Sequence, residues 1–149
     1  MLKYAMCFHQ KERCRYMKNM HFKRKLPVPA EIKEQYPLTD ALSQIKVARD
    51  AIISDVFTGK SDKMILVIGP CSADREDAVL DYCERLAKLQ DAVSDKLILI
   101  PRVYTNKPRT TGDGYKGLLH QPNPELESDM LEGVIAIRRL HTNVLANTG

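Results

Sequence analysis

The chain contains two short runs in which nearly every residue is apolar. They are MILVIG, residues 64–69, and LILIP, residues 97–101, and turn-forming residues bound each of them. Continuous apolar runs of this length, rich in β-branched residues, are typical of strands that are buried on both faces of a parallel sheet. The pattern therefore predicts two buried strands.

A segment with helical spacing of apolar residues precedes the first strand. Thr39 or Asp40 can cap its N-terminus, and Gly59 suits the left-handed position after its last turn. Its predicted apolar stripe is Leu42, Ile45, Ala48, Ile52 and Val56. Before this helix, residues 26–40 contain three prolines in LPVPAEIKEQYPLTD, which predicts an irregular arm.

Two further helices are predicted, one after each strand. The first covers residues 74–90 with a cap at Ser72 or Asp74, and the second starts at Asp129, where Glu132 completes a capping box, and ends at Gly149. Their predicted core positions are Val79, Tyr82, Cys83, Leu86 and Leu89 on the first, and Leu131, Val134, Ile135 and Leu140 on the second.

The order strand, helix, strand, helix predicts an α/β fold. Strands joined by a helical crossover lie parallel, so their C-terminal ends meet at one edge of the sheet. The loops GPCSAD and PRVYTNKPRTT both begin at such ends. Because parallel α/β folds bind ligands at that edge, we expect the two loops to form one site.

The second loop is strongly cationic. IPRVYTNKPRTTGDGYKG, residues 100–117, contains Arg102, Lys107, Arg109 and Lys116 but one acid, Asp113. Arginine forks bind phosphate or carboxylate in bidentate fashion, and the threonines and glycines supply hydroxyl donors and room for close approach. A solvated charged loop would have the same composition. The position after a strand favours a binding site for a small polyanion.

Cys71 differs from the other cysteines because it lies in a strand-to-helix turn. A helix N-terminus and neighbouring cations favour the thiolate, which can act as a nucleophile or bind a divalent metal. Cys83 falls on a predicted helix core stripe and is expected to be a buried hydrophobe. The four cysteines form no C-x-x-C pair, so neither a zinc-binding motif nor a disulfide framework is predicted.

The formal net charge of +4 is the sum of a positively charged N-terminal segment and a negatively charged remainder. Residues 1–25 contain eight of the 23 Lys and Arg but one of the 19 acids, so this tail carries +7 and the rest of the chain −3. We expect residues 1–25 to be a disordered basic tail; the alternative is an arm that touches nucleic acid or anionic lipid. The sequence shows no secretory signal, and none of its apolar runs approaches the ~20 residues that a membrane span requires. We therefore expect a cytoplasmic protein that binds neither membrane nor nucleic acid.

The two loops together resemble a known enzyme family. IGPCSAD, followed by PRVYTNKPRTTGDGYKGL, is similar to the corresponding segments of microbial-class 3-deoxy-7-phosphoheptulonate (DAHP) synthases. The resemblance covers residues 26–149 and implies a metal-dependent transferase of class EC 2.5.1 with a (β/α)8 TIM barrel. It further implies condensation of phosphoenolpyruvate with erythrose 4-phosphate, the first step of the shikimate pathway, in a homo-oligomer when full length.

The resemblance also assigns roles to individual residues. Cys71 would be one ligand of a single divalent metal cation. Arg102 would bind phosphoenolpyruvate, and Lys107, the catalytic residue, would lie between the two substrates. Pro108, Arg109 and Thr110 match the segment that binds erythrose 4-phosphate.

A full barrel of this kind takes about 250 residues, whereas this chain has 149. We therefore expect residues 26–63 to be an N-terminal arm and helix, and residues 64–149 to be the first two βα units of an incomplete barrel. The remaining metal ligands would be absent and the chain alone inactive. The alternative is a non-catalytic truncated chain that binds phosphate weakly or only assembles with other chains.

Overall fold

The computed structural model describes residues 24–149, which form four helices and two strands. In chain order these are α1 (Pro29–Gln35), α2 (Asp40–Phe57), β1 (Met64–Ile68), α3 (Glu76–Val93), β2 (Leu97–Pro101) and α4 (Met130–Thr148). The predicted α/β order is therefore present. None of the helices in this part of the chain is long and apolar enough to cross a bilayer.

The two strands are adjacent and parallel, as predicted. Met64 pairs with Leu97 and Ile68 with Pro101, and the ladder continues beyond the strands because the Arg102 amide donates to the Ile68 carbonyl at 2.9 Å. Parallel pairing places the loops after β1 and β2 at the same edge of the sheet. The predicted common edge is thus confirmed.

The prediction that both strands are buried on both faces is wrong. In β1, Met64 is 66% exposed and Val67 58% exposed, and every residue of β2 is half-buried. The reason lies in the packing, because in the described residues β1 pairs with β2 alone and few side chains cover its faces. An apolar run shows that a strand is able to be buried. Whether it is buried depends on whether helices or strands pack against its two faces.

The core lies between α3, α4 and the two loops. Its buried members are Ala73, Val79, Cys83, Leu118, Leu140 and Val144, and Val103, Ala136 and Ile137 pack against them. Ala73 belongs to the loop after β1 and Leu118 to the loop after β2. The hydrophobic core therefore anchors both loops as well as the helices.

The helix predictions are largely confirmed, with four corrections. Thr39 caps α2 and Asp129 caps α4, whereas α3 starts two residues later than predicted, with Arg75 rather than Ser72 or Asp74 at its N-cap. The arm expected to be irregular contains α1, which Pro29 begins because proline suits the first helical turn. Leu89 is 52% exposed, and α2 contains no buried residue, because α2 packs only loosely on β1 and α4.

The expected basic tail, residues 1–25, lies almost entirely outside the described residues. Of its cations only Arg24 and Lys25 are described, and Arg24 forms an ion pair with Asp129.

Candidate functional site

The site is built on the turn between β1 and α3, residues 69–75, and the long loop between β2 and α4. Gly69 is required where they meet, because a Cβ at this position would lie 2.3 Å from the Arg102 carbonyl oxygen. Further along, the Ala73 amide donates to the Tyr104 carbonyl at 2.7 Å. These close main-chain contacts fix the turn against the start of the loop.

Cys71, Arg102 and Lys107 converge at this junction. The Lys107 Nζ lies 3.5 Å from the Cys71 Sγ, and the Arg102 Nη1 donates to the Pro70 carbonyl at 2.7 Å and to the Cys71 carbonyl at 3.2 Å. The Cys71 side chain is exposed and free, whereas Cys83 is buried in the core, where burial raises the pKa of its thiol. The sequence prediction that Cys83 is a buried hydrophobe is confirmed, and the metal-binding or nucleophilic role of Cys71 stays a prediction.

The cationic loop folds back on itself. The Lys107 amide donates to the Lys116 carbonyl at 2.9 Å, and the Leu119 amide donates to the Thr105 carbonyl at 3.0 Å. Gly117 makes this approach possible: its φ is +95°, and a Cβ there would lie 2.6 Å from the Thr105 oxygen. The loop is therefore an ordered hairpin-like structure that presents its tip to solvent.

Arg109 lies at the tip, within its own loop. Its Nε donates to the Tyr115 carbonyl at 3.0 Å, while Pro108 and Thr110 are exposed beside it. The structure thus brings Cys71, Arg102 and Lys107 into contact and places Arg109, Pro108 and Thr110 on the adjoining exposed surface. Lys116 is exposed and contributes its backbone rather than its side chain to the loop.

Two tyrosines belong to this region that sequence reasoning did not identify. The Arg102 guanidinium lies 4.4 Å from the centre of the Tyr104 ring, within cation–π distance. The Tyr115 hydroxyl is buried without a hydrogen-bond partner in the described residues; burial raises its pKa and the charge of Asp74 raises it further. The spacing Arg-x-Tyr was a usable signal for Tyr104, because alternate residues of an extended segment share a face.

The site combines three cationic side chains with an exposed, free thiol, an arrangement chemically suited to binding an anion. None of the ion pairs found among residues 24–149 involves Arg102, Lys107 or Arg109. The same residues contain no group of three metal-ligating side chains, so Cys71 alone does not constitute a metal site.

Comparisons with known proteins agree on one family. The family model described as the DAHP synthetase I family matches residues 29–144. The chain is 39% identical over 116 residues to a Tyr-sensitive phospho-2-dehydro-3-deoxyheptonate aldolase of Salmonella typhimurium, covering 77% of this chain and 32% of that protein. It is 36% identical over 121 residues to a phospho-2-dehydro-3-deoxyheptonate aldolase of Corynebacterium glutamicum, covering 80% of this chain and 32% of that protein.

A solved structure shares the fold. The phospho-2-dehydro-3-deoxyheptonate aldolase of Francisella tularensis superposes with a TM-score of 0.77 at 24% identity, over 85% of this chain and 37% of that one. This chain thus spans about a third of the length of the curated relatives cited above.

Proposed function

Because this chain belongs to the DAHP synthetase I family, we propose that it forms the N-terminal, substrate-binding portion of a 3-deoxy-7-phosphoheptulonate synthase. Such an enzyme condenses phosphoenolpyruvate with erythrose 4-phosphate at the start of the shikimate pathway. The observation that carries the proposal is the convergence of Cys71, Arg102 and Lys107 where the loops after β1 and β2 meet. The complete fold would be a (β/α)8 barrel, of which β1, α3, β2 and α4 are the first two units.

Arg102 and Lys107 would bind phosphoenolpyruvate. This substrate carries a carboxylate and a phosphate, and two adjacent cations match those charges. The Arg102 guanidinium makes its described hydrogen bonds through Nη1, so its other nitrogens can donate to the ligand. Lys107, as a compact charge with three donors, suits the position between the two substrates.

Pro108, Arg109 and Thr110 would bind the phosphate of erythrose 4-phosphate. The Tyr115 carbonyl already orients the Arg109 guanidinium through Nε, which leaves the terminal nitrogens for a phosphate. Pro108 restricts the backbone between Lys107 and Arg109, and the Thr110 hydroxyl adds a donor. The chain thus provides neighbouring positions for two phosphorylated molecules.

In the proposed reaction, C3 of phosphoenolpyruvate attacks the aldehyde carbon of erythrose 4-phosphate and water adds at C2. Phosphate then leaves with cleavage of the C–O bond. Lys107 would be catalytic because its ammonium can donate to the aldehyde oxygen as negative charge develops there. Arg102 would hold the departing phosphate and keep phosphoenolpyruvate oriented for attack.

Among residues 24–149, Cys71, whose thiol is exposed and free, would be a ligand of the family's divalent metal. Bound there, the metal would polarise the aldehyde as a Lewis acid. Since residues 24–149 contain no group of three or more potential metal ligands, further ligands would have to come from outside the described residues. The proposed substrates of the complete, homo-oligomeric enzyme are phosphoenolpyruvate and erythrose 4-phosphate.

A chimera tests the proposal. Residues 24–149 would replace the matching segment of the Salmonella typhimurium relative, and metal content and steady-state kinetics would be measured for each variant. We expect the chimera to be active and Cys71→Ala to lose metal and nearly all turnover. Arg109→Ala should keep the metal and raise KM for erythrose 4-phosphate about ten- to a hundredfold, because it loses one charge-assisted hydrogen-bonding pair.

Lys107→Ala and Lys116→Ala form the matched pair of this experiment. Lys107 contacts the Cys71 thiol, whereas the Lys116 side chain is exposed, so Lys107→Ala should cost far more activity. A chimera that binds phosphate but never turns over would favour the alternative of a non-catalytic chain. Loss of metal in Arg109→Ala, with metal retained in Cys71→Ala, would refute the assigned roles.

A further inference from the structure

The side chain of Arg102 is engaged with the turn that carries Cys71. Its Nη1 donates to two consecutive carbonyl oxygens, of Pro70 at 2.7 Å and of Cys71 at 3.2 Å. The carbon of the same guanidinium lies 4.4 Å from the centre of the Tyr104 ring. The guanidinium is thus held at one edge by two carbonyls of the turn and also contacts an aromatic ring.

These side-chain contacts hold Pro70 and Cys71, the part of the turn that lies between its main-chain hydrogen bonds. The N-terminal end is tied by the bond from the Arg102 amide to the Ile68 carbonyl, and the C-terminal end by the bond from the Ala73 amide to the Tyr104 carbonyl. Between these points Pro70 and Cys71 form no main-chain hydrogen bond to the neighbouring loop within the described residues. Arg102 supplies the bonds to their carbonyls instead.

The guanidinium also has donors to spare. The arginine side chain has five N–H donors, and the side-chain hydrogen bonds of Arg102 to residues 24–149 use only Nη1. The residue is exposed, and it forms no ion pair within this part of the chain. An anion can therefore bind the free edge while Nη1 stays on the turn.

We propose that Arg102 is a positioning residue for Cys71, and that it couples anion binding on its free edge to the order of the 70–73 turn. The coupling follows because an anion that fixes the guanidinium also fixes the two carbonyl oxygens that Nη1 contacts. The identity of the anion rests on the proposed function, whereas the positioning role does not.

Amide hydrogen exchange of the 149-residue chain tests this directly. The Ala73 amide reports on the turn, because its partner is the Tyr104 carbonyl. We expect Arg102→Gln and Arg102→Lys each to accelerate exchange at Ala73 about tenfold, because both variants lose the guanidinium. Arg102→Lys keeps the positive charge and so separates the loss of the guanidinium from the loss of charge. The Cys83 amide, in the middle of α3, is the internal reference that detects general unfolding.

Lys107→Gln is the matched control. It removes a cation that touches the Cys71 thiol but contacts no carbonyl of the turn, so Ala73 exchange should stay within about twofold of the parent chain. Parent-like exchange in both Arg102 variants would overturn the positioning role. So would an equal effect of Lys107→Gln, because the turn would then respond to any substitution at this junction rather than to the loss of the bonds from Arg102.

Ligand addition tests the coupling. Inorganic phosphate and phosphoenolpyruvate would be titrated separately, and each should slow Ala73 exchange in the parent chain and leave both Arg102 variants unchanged. No slowing by either anion overturns the coupling. If phosphate slows Ala73 exchange and phosphoenolpyruvate slows it no more strongly, the coupling stands but phosphoenolpyruvate is not favoured as the substrate. Failure of the coupling and failure of the proposed function are therefore distinguishable.

Discussion

At the scale of single residues, two glycines of the cationic loop make a matched pair. Gly117 and Gly112 both have positive φ, +95° and +78°, but a Cβ at Gly117 would meet the Thr105 oxygen at 2.6 Å, whereas nothing lies within 4 Å of one at Gly112. Gly112→Ala should lower the free energy of unfolding by about 1 kcal/mol, from backbone strain alone. Gly117→Ala should cost about 1–3 kcal/mol more. Urea denaturation measures both, and equal losses would contradict the close approach described here.

Residue chemistry was the part of the site most readable from the sequence. The pattern places Cys71 near the four cations of the second loop, because both loops follow the ends of parallel strands. The structure brings two of those cations, Arg102 and Lys107, into contact with Pro70 and Cys71. The bonds from Arg102 to the turn carbonyls were not predicted. A sequence gives donors and acceptors, but the direction of a long side chain depends on the backbone conformation of both loops, which local patterns do not encode.

At the scale of elements, the outer edge of β2 depends on one side chain of α3. The ladder uses the Lys96 carbonyl and the Arg102 amide, so the Leu97 carbonyl and the Leu99 amide face away from β1. The Gln90 side chain bonds both, donating to Leu97 at 3.0 Å and accepting from Leu99 at 2.6 Å. A side-chain amide thus occupies the place that a neighbouring strand would take.

Gln90→Ala should therefore destabilise the chain. It leaves two half-buried backbone groups without their protein partners, which costs about 1–3 kcal/mol each in full burial and less where water reaches them. Lys88→Ala, an exposed change on the same helix, is the control and should stay within about 0.5 kcal/mol. Chemical denaturation gives both values, and amide exchange at Leu99 should accelerate only in Gln90→Ala.

The N-cap of α4 provides a second prediction at this scale. The Asp129 carboxylate accepts from the Leu131 and Glu132 amides at 2.9 and 3.1 Å, and it also pairs with Arg24. Asp129→Ala should cost about 0.5–2 kcal/mol of unfolding free energy, mostly from the cap. Arg24→Gln removes only the partly exposed ion pair and should cost at most about 1 kcal/mol. An equal loss in the two variants would assign the effect to the ion pair.

Element types were predictable because the helices repeat apolar residues at helical spacing, the strands are continuous apolar runs, and caps such as Thr39 and Asp129 are chemically distinctive. Burial was less predictable. Gly133 illustrates the reason, since a Cβ there would lie 1.9 Å from the Leu119 carbonyl oxygen, a close packing of α4 on the loop that no local pattern announces. Burial depends on long-range contacts of this kind. Leu89 and most of β1 are apolar but remain exposed, because few such contacts cover them.

At the scale of the whole molecule, the exposed apolar surface predicts self-association. Phe57 is 81% exposed and Val67 58% exposed, and β1 presents an edge that no strand of the described residues covers. Exposed edges and apolar faces of this kind pair with other chains. We expect the purified chain to form larger species as its concentration rises, measured by analytical ultracentrifugation.

Two variants separate this surface effect from instability. Val67→Lys should weaken self-association, because a charged side chain on an edge strand opposes pairing, and should change the free energy of unfolding by no more than about 0.5 kcal/mol. Leu140→Ala, which truncates a core residue that is 1% exposed, should lower that free energy by about 2–5 kcal/mol and increase association through unfolded chains. If Val67→Lys associated as strongly as the parent while remaining equally stable, β1 would not be the contact surface, and the exposed end of α2 around Phe57 would be tested next by Phe57→Lys.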